Sequence, residues 1–329
     1  MKCCGCYKEV NDGYCLACRK LIFGGARVPS VLSFDSPSDE NLTKFQAHSK
    51  RFSISGVQLK YSLQLHNKTL VLAERRGQYI IKPIPPAKQF AHIDSIPENE
   101  HLTMQIATQI FKLPVAANLL IYFKDGTPAY LTKRFDIRPD GSKYQQEDFA
   151  QLSERTSKTH GEHFKYEGSY EDIGKLIKQF VPASMLASER LFTQVVFNYV
   201  FSNGDAHLKN FSLIRNDEGE YQLSPAYDLV SSVIHSPGES DTALQLYEGD
   251  YESSFYSEYG YYGRDNFLEL AERLSILSQR AKRILNLFID KREVVQRMIV
   301  NSFLNDEVRL LYLKNLEDKL NRIKSRRNE

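Results

Sequence analysis

The sequence predicts an α+β protein in which a β-rich small lobe precedes a helical large lobe, with a short cysteine-rich head in front. Three observations carry this expectation. Residues 50–140 are mostly short apolar runs of strand character separated by turn signals. From residue 170 onward the apolar residues recur at helical spacing. All five cysteines fall within the first 18 residues. The 329 residues, 42% hydrophobic and 26% charged, suffice for the core of one large domain or two moderate ones. A net charge of +2 does not by itself imply a nucleic-acid partner. No apolar run approaches the roughly 18–20 residues of a membrane span. The start, "MKCCGCYKEV", has no apolar signal-peptide core. A soluble cytoplasmic protein without a membrane partner is therefore expected.

The head, residues 1–25, carries Cys3-x2-Cys6 and Cys15-x2-Cys18, two knuckles spaced to close a tetrahedral zinc site on four sulfurs. With all four positions taken by protein the zinc would be structural, and so short a segment could not fold in a reduced cytoplasm without it. Cys4 is the spare. Clustering at one end argues against disulfides spread through a secreted fold; the bland alternative is a disordered tail with free thiols. A polar connector, 26–49, follows.

Within 50–140, "YSLQLHNKTLVLAERRGQYIIKPI" reads as a meander of antiparallel strands. "PENEHLTMQIATQIFKL" reads as a helix after Pro97, with Leu102, Ile106, Ile110 and Phe111 on one face. "LLIYFKDGTPAYLTKRFD" reads as two strands around the turn dipeptide Asp125-Gly126. Residues 141–329 form the helical part. "SERLFTQVVFNYVF" sets Leu191, Phe192, Val195, Val196, Tyr199 and Val200 on one wide face of a helix capped by Ser188. The tail repeats the theme with Phe267, Leu270, Leu274 and Leu277, then Leu310, Leu313, Leu316, Leu320 and Ile323. Its basic end, "NRIKSRRNE", is expected to fray.

The chemistry concentrates in "FSNGDAHLKNFSLI", which packs Asp205, His207, Lys209 and Asn210 into six positions after an apolar helix. Asp205-x4-Asn210 is the spacing of a kinase catalytic loop: the aspartate accepts a hydroxyl proton and the asparagine holds a magnesium ion. Asp228, in "SPAYDLV", supplies the second carboxylate, and a hairpin with Glu218-Gly219 near its turn would bring it beside Asn210. The same residue types serve as ordinary caps and turns, so the reading depends on finding the remaining parts upstream. Lys82 ends the apolar strand "YIIKPI", where a buried lysine is costly unless it meets an anion; otherwise it reaches water. Glu100 could pair with Lys82 or merely favour the helix dipole. In "RFSISGVQLKYSL" a strand-like run with Ser53 and Ser55 breaks at Gly56, where a turn could lie over phosphates.

Together "SISGVQLKYSL", "YIIKP", "ENEHLTMQIA", "LTKRFD", "QEDFAQL", "NGDAHLKNFSLI" and "SPAYDLVSS" resemble, in order, the HipA-like serine/threonine kinases of bacterial toxin–antitoxin systems. The resemblance implies a divergent two-lobed protein-kinase fold, with ATP and Mg2+ as cofactors. It implies Asp205 as catalytic base, with His207 as its candidate catalytic companion, Asn210 and Asp228 as magnesium ligands, and Lys82, paired with Glu100, as the phosphate-binding lysine. Phe135 matches the adenine-side linker between lobes. Ser55, Gly56, Gln58 and Lys60 match the family's phosphate loop, where autophosphorylation of Ser53 or Ser55 would switch the enzyme off. A HipB-like helix-turn-helix antitoxin is implied as partner, with DNA reached only through it, and a protein substrate, which in the family is an aminoacyl-tRNA synthetase. The chain carries fewer residues ahead of the loop than full-length HipA proteins. It resembles the short HipT form, whose missing N-terminal subdomain can be a separate small protein. Lys133 stands where the family often has glutamate. Two other readings stay open: a kinase of small-molecule or lipid hydroxyls, since the motifs do not specify the acceptor, and a zinc-headed nucleic-acid module. The latter would need more basic and aromatic residues near the cysteines than Lys2, Lys8, Arg19, Lys20 and Arg27 provide.

Overall fold

The computed structural model describes residues 1–38, 59–74, 77–86 and 90–324. The small lobe is built on five antiparallel strands, β1 (Tyr61–His66), β2 (Thr69–Leu72), β3 (Tyr79–Pro83), β4 (Asn118–Tyr122) and β5 (Pro128–Lys133), in the order β2-β1-β3-β5-β4. The strands fall where the pattern predicts, but the expected meander does not form. β3 pairs with β1, Leu63 opposite Tyr79, so β2 is left at the edge. Gly77 makes this return possible: a Cβ there would lie 2.2 Å from Ser62 Oγ and 2.6 Å from the Leu63 carbonyl.

Alternation along the strands gives the sheet two different faces. Ile81 and Leu131 pair across β3 and β5 and turn toward a core shared with Cys3, Tyr14, Ile22 and Phe23 of the head. Their neighbours Lys82 and Tyr130 also pair, on the opposite face. The head therefore covers one side of the sheet. Its helix α1 (Leu16–Phe23) starts at Cys15 and ends at Gly24, whose φ of 63° closes the last turn. The Leu120 N–H donates to the Cys4 carbonyl, 2.8 Å, and the Tyr14 hydroxyl to the Leu120 carbonyl, 2.9 Å. Residues 30–34 run beside β4, with Leu32 N–H to Tyr122 C=O at 2.7 Å, so that edge is not left open.

The other face meets α2 (Ile96–Gln109), which lies between the two lobes. The sequence marks one apolar face on this helix; in the fold nearly every side is buried, including Asn99, Glu100, His101, Thr103 and Gln105. Each of these side chains makes at least one polar contact, as burial requires. Asn99 exchanges hydrogen bonds with the Ser231 backbone at 3.0 and 3.1 Å. Thr103 Oγ1 meets the Tyr312 hydroxyl at 2.8 Å, and Gln105 donates to Asn118 at 2.9 Å. The Tyr7 hydroxyl meets His101 Nδ1 at 2.9 Å, which ties the head to the same helix.

The large lobe packs α3 (Tyr170–Phe180), α4 (Ser184–Val200), α5 (Arg264–Arg273), α6 (Ser278–Asp290), α7 (Arg292–Val300) and α8 (Asp306–Ile323) around one core. Ser188 does not cap α4: the helix begins after Ala183, and Ser188 sits buried in its second turn. The first turn exposes Met185 and Leu186, so its apolar residues gave no sign of the start. Leu277 and Leu310, expected inside, are 73% and 68% exposed. The buried line of α8 is instead Val308, Tyr312, Leu316, Leu320 and Ile323. The hairpin before Asp228 forms as β7 (Ser212–Arg215) and β8 (Tyr221–Leu223), turning at Gly219 with φ 87°. The unpredicted β6 (Gln146–Asp148) adds a third strand in the order β6-β7-β8.

Thr103→Val keeps the shape of α2 but strands the Tyr312 hydroxyl. A loss of about 1–3 kcal/mol in urea denaturation is expected. An unchanged midpoint would mean the hydroxyl finds another partner.

Candidate active site

Between the lobes lies a cleft of about 670 Å³, in the range of small-ligand sites. Ile80, Ala116, Phe135 and Tyr227 supply an apolar part of its lining. The Phe135 and Tyr227 rings stand 5.8 Å apart. Charged residues line the same cleft. Lys82, 2% exposed, bonds Glu100 of α2 and reaches Asp228 Oδ1 at 2.5 Å. Lys60 approaches the other oxygen of Asp228 at 3.1 Å. Burial alone would raise the Asp228 carboxyl, but Lys60 and Lys82 hold it well below the usual carboxylate range. Burial likewise opposes the Lys82 charge, and the flanking Asp228 and Glu100 reverse that, so its pKa is raised. Burial pushes the Glu100 carboxyl up against the pull of Lys82. Asp228 has φ 57°, a strained conformation for a non-glycine residue that turns up most often where a side chain must be aimed.

The segment after α4 forms the large-lobe wall. Gly204 passes so close to Ser240 that a Cβ would lie 2.2 Å from its carbonyl oxygen. Asp205 follows, and its Oδ1 accepts from the Tyr166 hydroxyl at 2.6 Å. His207 Nε2 lies 4.0 Å from the same oxygen and 2.8 Å from Lys165 Nζ. Burial brings the His207 pKa down to about 4, so the ring is neutral at physiological pH. Asn210 Oδ1 accepts from the His207 N–H at 3.2 Å.

Lys60, Lys82, Glu100, Phe135, Asp205, His207, Asn210 and Asp228 thus line one cleft, as does Lys133. Ser53, Ser55, Gly56 and Gln58 lie outside the described residues. Sequence reasoning missed Lys165, Tyr166, Asn203 and Glu239 in the same walls. Lys165 and Tyr166 come from a one-turn segment, Phe164–Tyr166, too short to show a period. Burial lifts Glu239 to about 7.

The cysteines form a second cluster. The sulfurs of Cys3, Cys6, Cys15 and Cys18 all lie within 4.8 Å of one another, and those of Cys6 and Cys15 are 3.7 Å apart. Tetrahedral zinc–sulfur bonds would set that edge at about 3.8 Å. Backbone N–H groups of Gly5 and Cys15 point at Cys3 Sγ, at 3.4 and 3.2 Å, and hydrogen bonds from Cys18 and Cys6 hold the Cys3 thiol far below its ordinary pKa. A Cβ on Gly5 would stand 2.7 Å from Cys18 Sγ, so the knuckle needs glycine there. Cys4 is outside the cluster, and burial raises its thiol to about 11. The donor set fits a metal.

A curled sheet carrying a buried lysine, facing a helical lobe across a cleft, is the architecture of a protein-kinase-like fold. Residues 52–299 match the HipA-like C-terminal domain, and the chain belongs to that family. A Haemophilus influenzae protein named "Putative kinase" is 28% identical over 268 residues, 77% of this chain and 76% of its own length. "Putative kinase Y4dM" of Sinorhizobium fredii is 32% identical over 64% of this chain, which spans 53% of that protein. Among solved structures, the Shewanella oneidensis HipA, HipB and operator DNA complex contains a chain that matches with a TM-score of 0.64 at 20% identity, over 83% of this chain and 65% of that one. The Helicobacter pylori proinflammatory kinase CtkA matches with a TM-score of 0.50 at 15% identity, over 81% and 90%. At these identities the structural likeness is one of fold. No helix among the described residues is long and apolar enough to cross a membrane.

Burial depresses two histidines, His207 to about 4 and His101 to about 3. Their contribution to stability is present above the unfolded value near 6.5 and is lost as pH falls through the window down to those values. Urea denaturation from pH 7 to 5 should show a decline of up to about 1.4 kcal/mol per pH unit for each group. A flat profile would place both rings in contact with solvent.

Proposed function

We propose that the chain is an ATP- and Mg2+-dependent serine/threonine protein kinase of the HipA toxin type. The observation that carries this reading is that Lys82, Glu100, Asp205, Asn210 and Asp228, far apart in sequence, line one cleft. Glu100 holds Lys82 in place for nucleotide phosphates, and Lys60 adds a second cation beside it. Asn210 and Asp228 offer the oxygen donors a magnesium ion takes. Bound Mg-ATP supplies the transferable phosphoryl group and neutralises charge on it. Phe135 and Tyr227 belong to the apolar part of the lining, which suits a base. The Tyr166 hydroxyl engages Asp205 Oδ1, which leaves Oδ2 to take the proton of an acceptor hydroxyl.

The acceptor is a serine or threonine of a protein, in line with the family; an aminoacyl-tRNA synthetase is the class to try first. Self-modification at Ser53 or Ser55 would add about −1.5 to −2 charges beside the phosphate site and oppose ATP. A HipB-like antitoxin is the neutralising partner, by analogy with the complex that holds the Shewanella HipA, and DNA would be met through it. The cysteine cluster holds one structural zinc that fixes the head on the small-lobe sheet.

Asp205→Asn should lower phosphate transfer by about 10²- to 10⁴-fold with ATP binding retained. Ordinary activity in this variant would remove Asp205 from the mechanism. After incubation with Mg-ATP, intact mass should show phosphate on the wild type and none on Asp205→Asn or on the double variant Ser53→Ala, Ser55→Ala. Elemental analysis should find one zinc per chain, lost in Gly5→Ala together with a drop in melting temperature. Zinc-free protein that melts unchanged would sink the zinc assignment.

A further inference from the structure

Three lysines are buried among the described residues: Lys82, Lys165 and Lys319. Lys82 is neutralised by Glu100 and Asp228, and Lys319 by Asp241. Lys165, 7% exposed, has no carboxylate within ion-pair distance among the described residues. Its ammonium donates to Nε2 of His207 at 2.8 Å and lies 4.7 Å over the Tyr166 ring. Both direct partners are uncharged. Burial lowers the Lys165 pKa, outweighing the attraction of the nearby Asp205 carboxylate, which does not contact the ammonium. A cation withdrawn from water with no carboxylate in contact is costly to the folded state. An ammonium has three N–H donors; His207 takes one, and Lys165 forms part of the cleft wall together with Asp205 and Asn210. An anion bound in the cleft would remove the deficit.

We infer that Lys165 is a catalytic residue that binds the terminal phosphate of the nucleotide beside Asp205 and stabilises the phosphoryl group in flight. The inference rests on the kinase reading. In the step, the acceptor oxygen forms a bond to the γ-phosphorus while the bond from that phosphorus to the β,γ-bridging oxygen breaks. ADP leaves with the electron pair, and the hydroxyl proton goes to Asp205. Lys165 keeps its proton throughout and donates to the non-bridging oxygens, where charge is concentrated in the transition state. His207 is the positioning residue: its neutral ring accepts from Lys165 and sets the direction of the remaining donors.

The test compares wild type, Lys165→Met and Lys165→Arg in three measurements: calorimetric binding of ADP and of a non-hydrolysable ATP analogue, melting without nucleotide, and phosphate transfer. Lys165→Met should melt at or above the wild-type temperature, because a buried charge that no carboxylate contacts is gone. It should bind ADP as the wild type does and lose about 10- to 100-fold in affinity for the ATP analogue. Transfer should fall about 100-fold or more, and Lys165→Arg should regain part of the preference for the triphosphate. A Lys165→Met protein with an unchanged ratio of ATP-analogue to ADP affinity would overturn the inference while leaving the kinase reading intact. So would one that melts lower and loses both nucleotides equally, since that marks a structural prop for His207. A wild type that binds neither nucleotide would overturn the kinase reading, and this assignment with it.

Discussion

The contact on which the rest of the structure depends is the buried ion pair between Lys82 of β3 and Glu100 of α2. A lysine at the end of an apolar strand can be buried only if carboxylates meet it there, and the nearest one available sits on a helix that must then lie against that face of the sheet. Once α2 is pressed between the lobes, its other sides are buried too. That is why Asn99, His101, Thr103 and Gln105 each carry a specific partner, drawn from the large lobe, the head, α8 and β4 respectively. Few alternative placements of the helix would satisfy all of them, so these pairs fix the relation between the lobes as well as the lysine.

The opposite wall is organised by backbone constraint more than by charge. Gly204 allows the chain to pass the Ser240 carbonyl, and Asp228 is held at a positive φ. These features place one carboxylate against Tyr166 and the other against Lys82 and Lys60. The two aspartates accordingly work in different surroundings: Asp228 is locked in the ionised form by lysines, whereas Asp205 stands half-buried beside a neutral imidazole and a phenol. The Ala116 N–H donates to the Ala226 carbonyl at 2.8 Å, which joins the segment before β4 directly to the segment leading into Asp228.

The head is part of the small lobe's core rather than an appendage. A five-stranded sheet has two faces to cover, and α2 covers one. Cys3, Tyr14, Ile22 and Phe23 supply the apolar surface for the other, and the Tyr7–His101 contact carries the head's position to the helix that bears Glu100.

The sequence by itself determined the strands of the small lobe, the helix after Pro97, the hairpin before Asp228, the four-cysteine cluster and eight of the cleft residues, because each is written in local spacing or in a short ordered motif. Strand order was not legible: whether β3 joins β2 or β1 turns on the close approach of Gly77 to Ser62, a contact between residues with no periodic signal. The start of α4 was missed because exposed Met185 and Leu186 carry no amphipathic mark, and Leu277 and Leu310 were misplaced because a spacing rule cannot tell which face a neighbouring helix will cover. Burial of the polar side of α2 was not legible, since Asn99 and Thr103 depend on partners more than a hundred residues away. Lys165 and Tyr166 were invisible for a related reason. A lysine and a tyrosine in an irregular turn mean nothing until the fold sets them against His207 and Asp205, and only the tertiary structure could show that the lysine is buried there with no carboxylate in contact among the described residues.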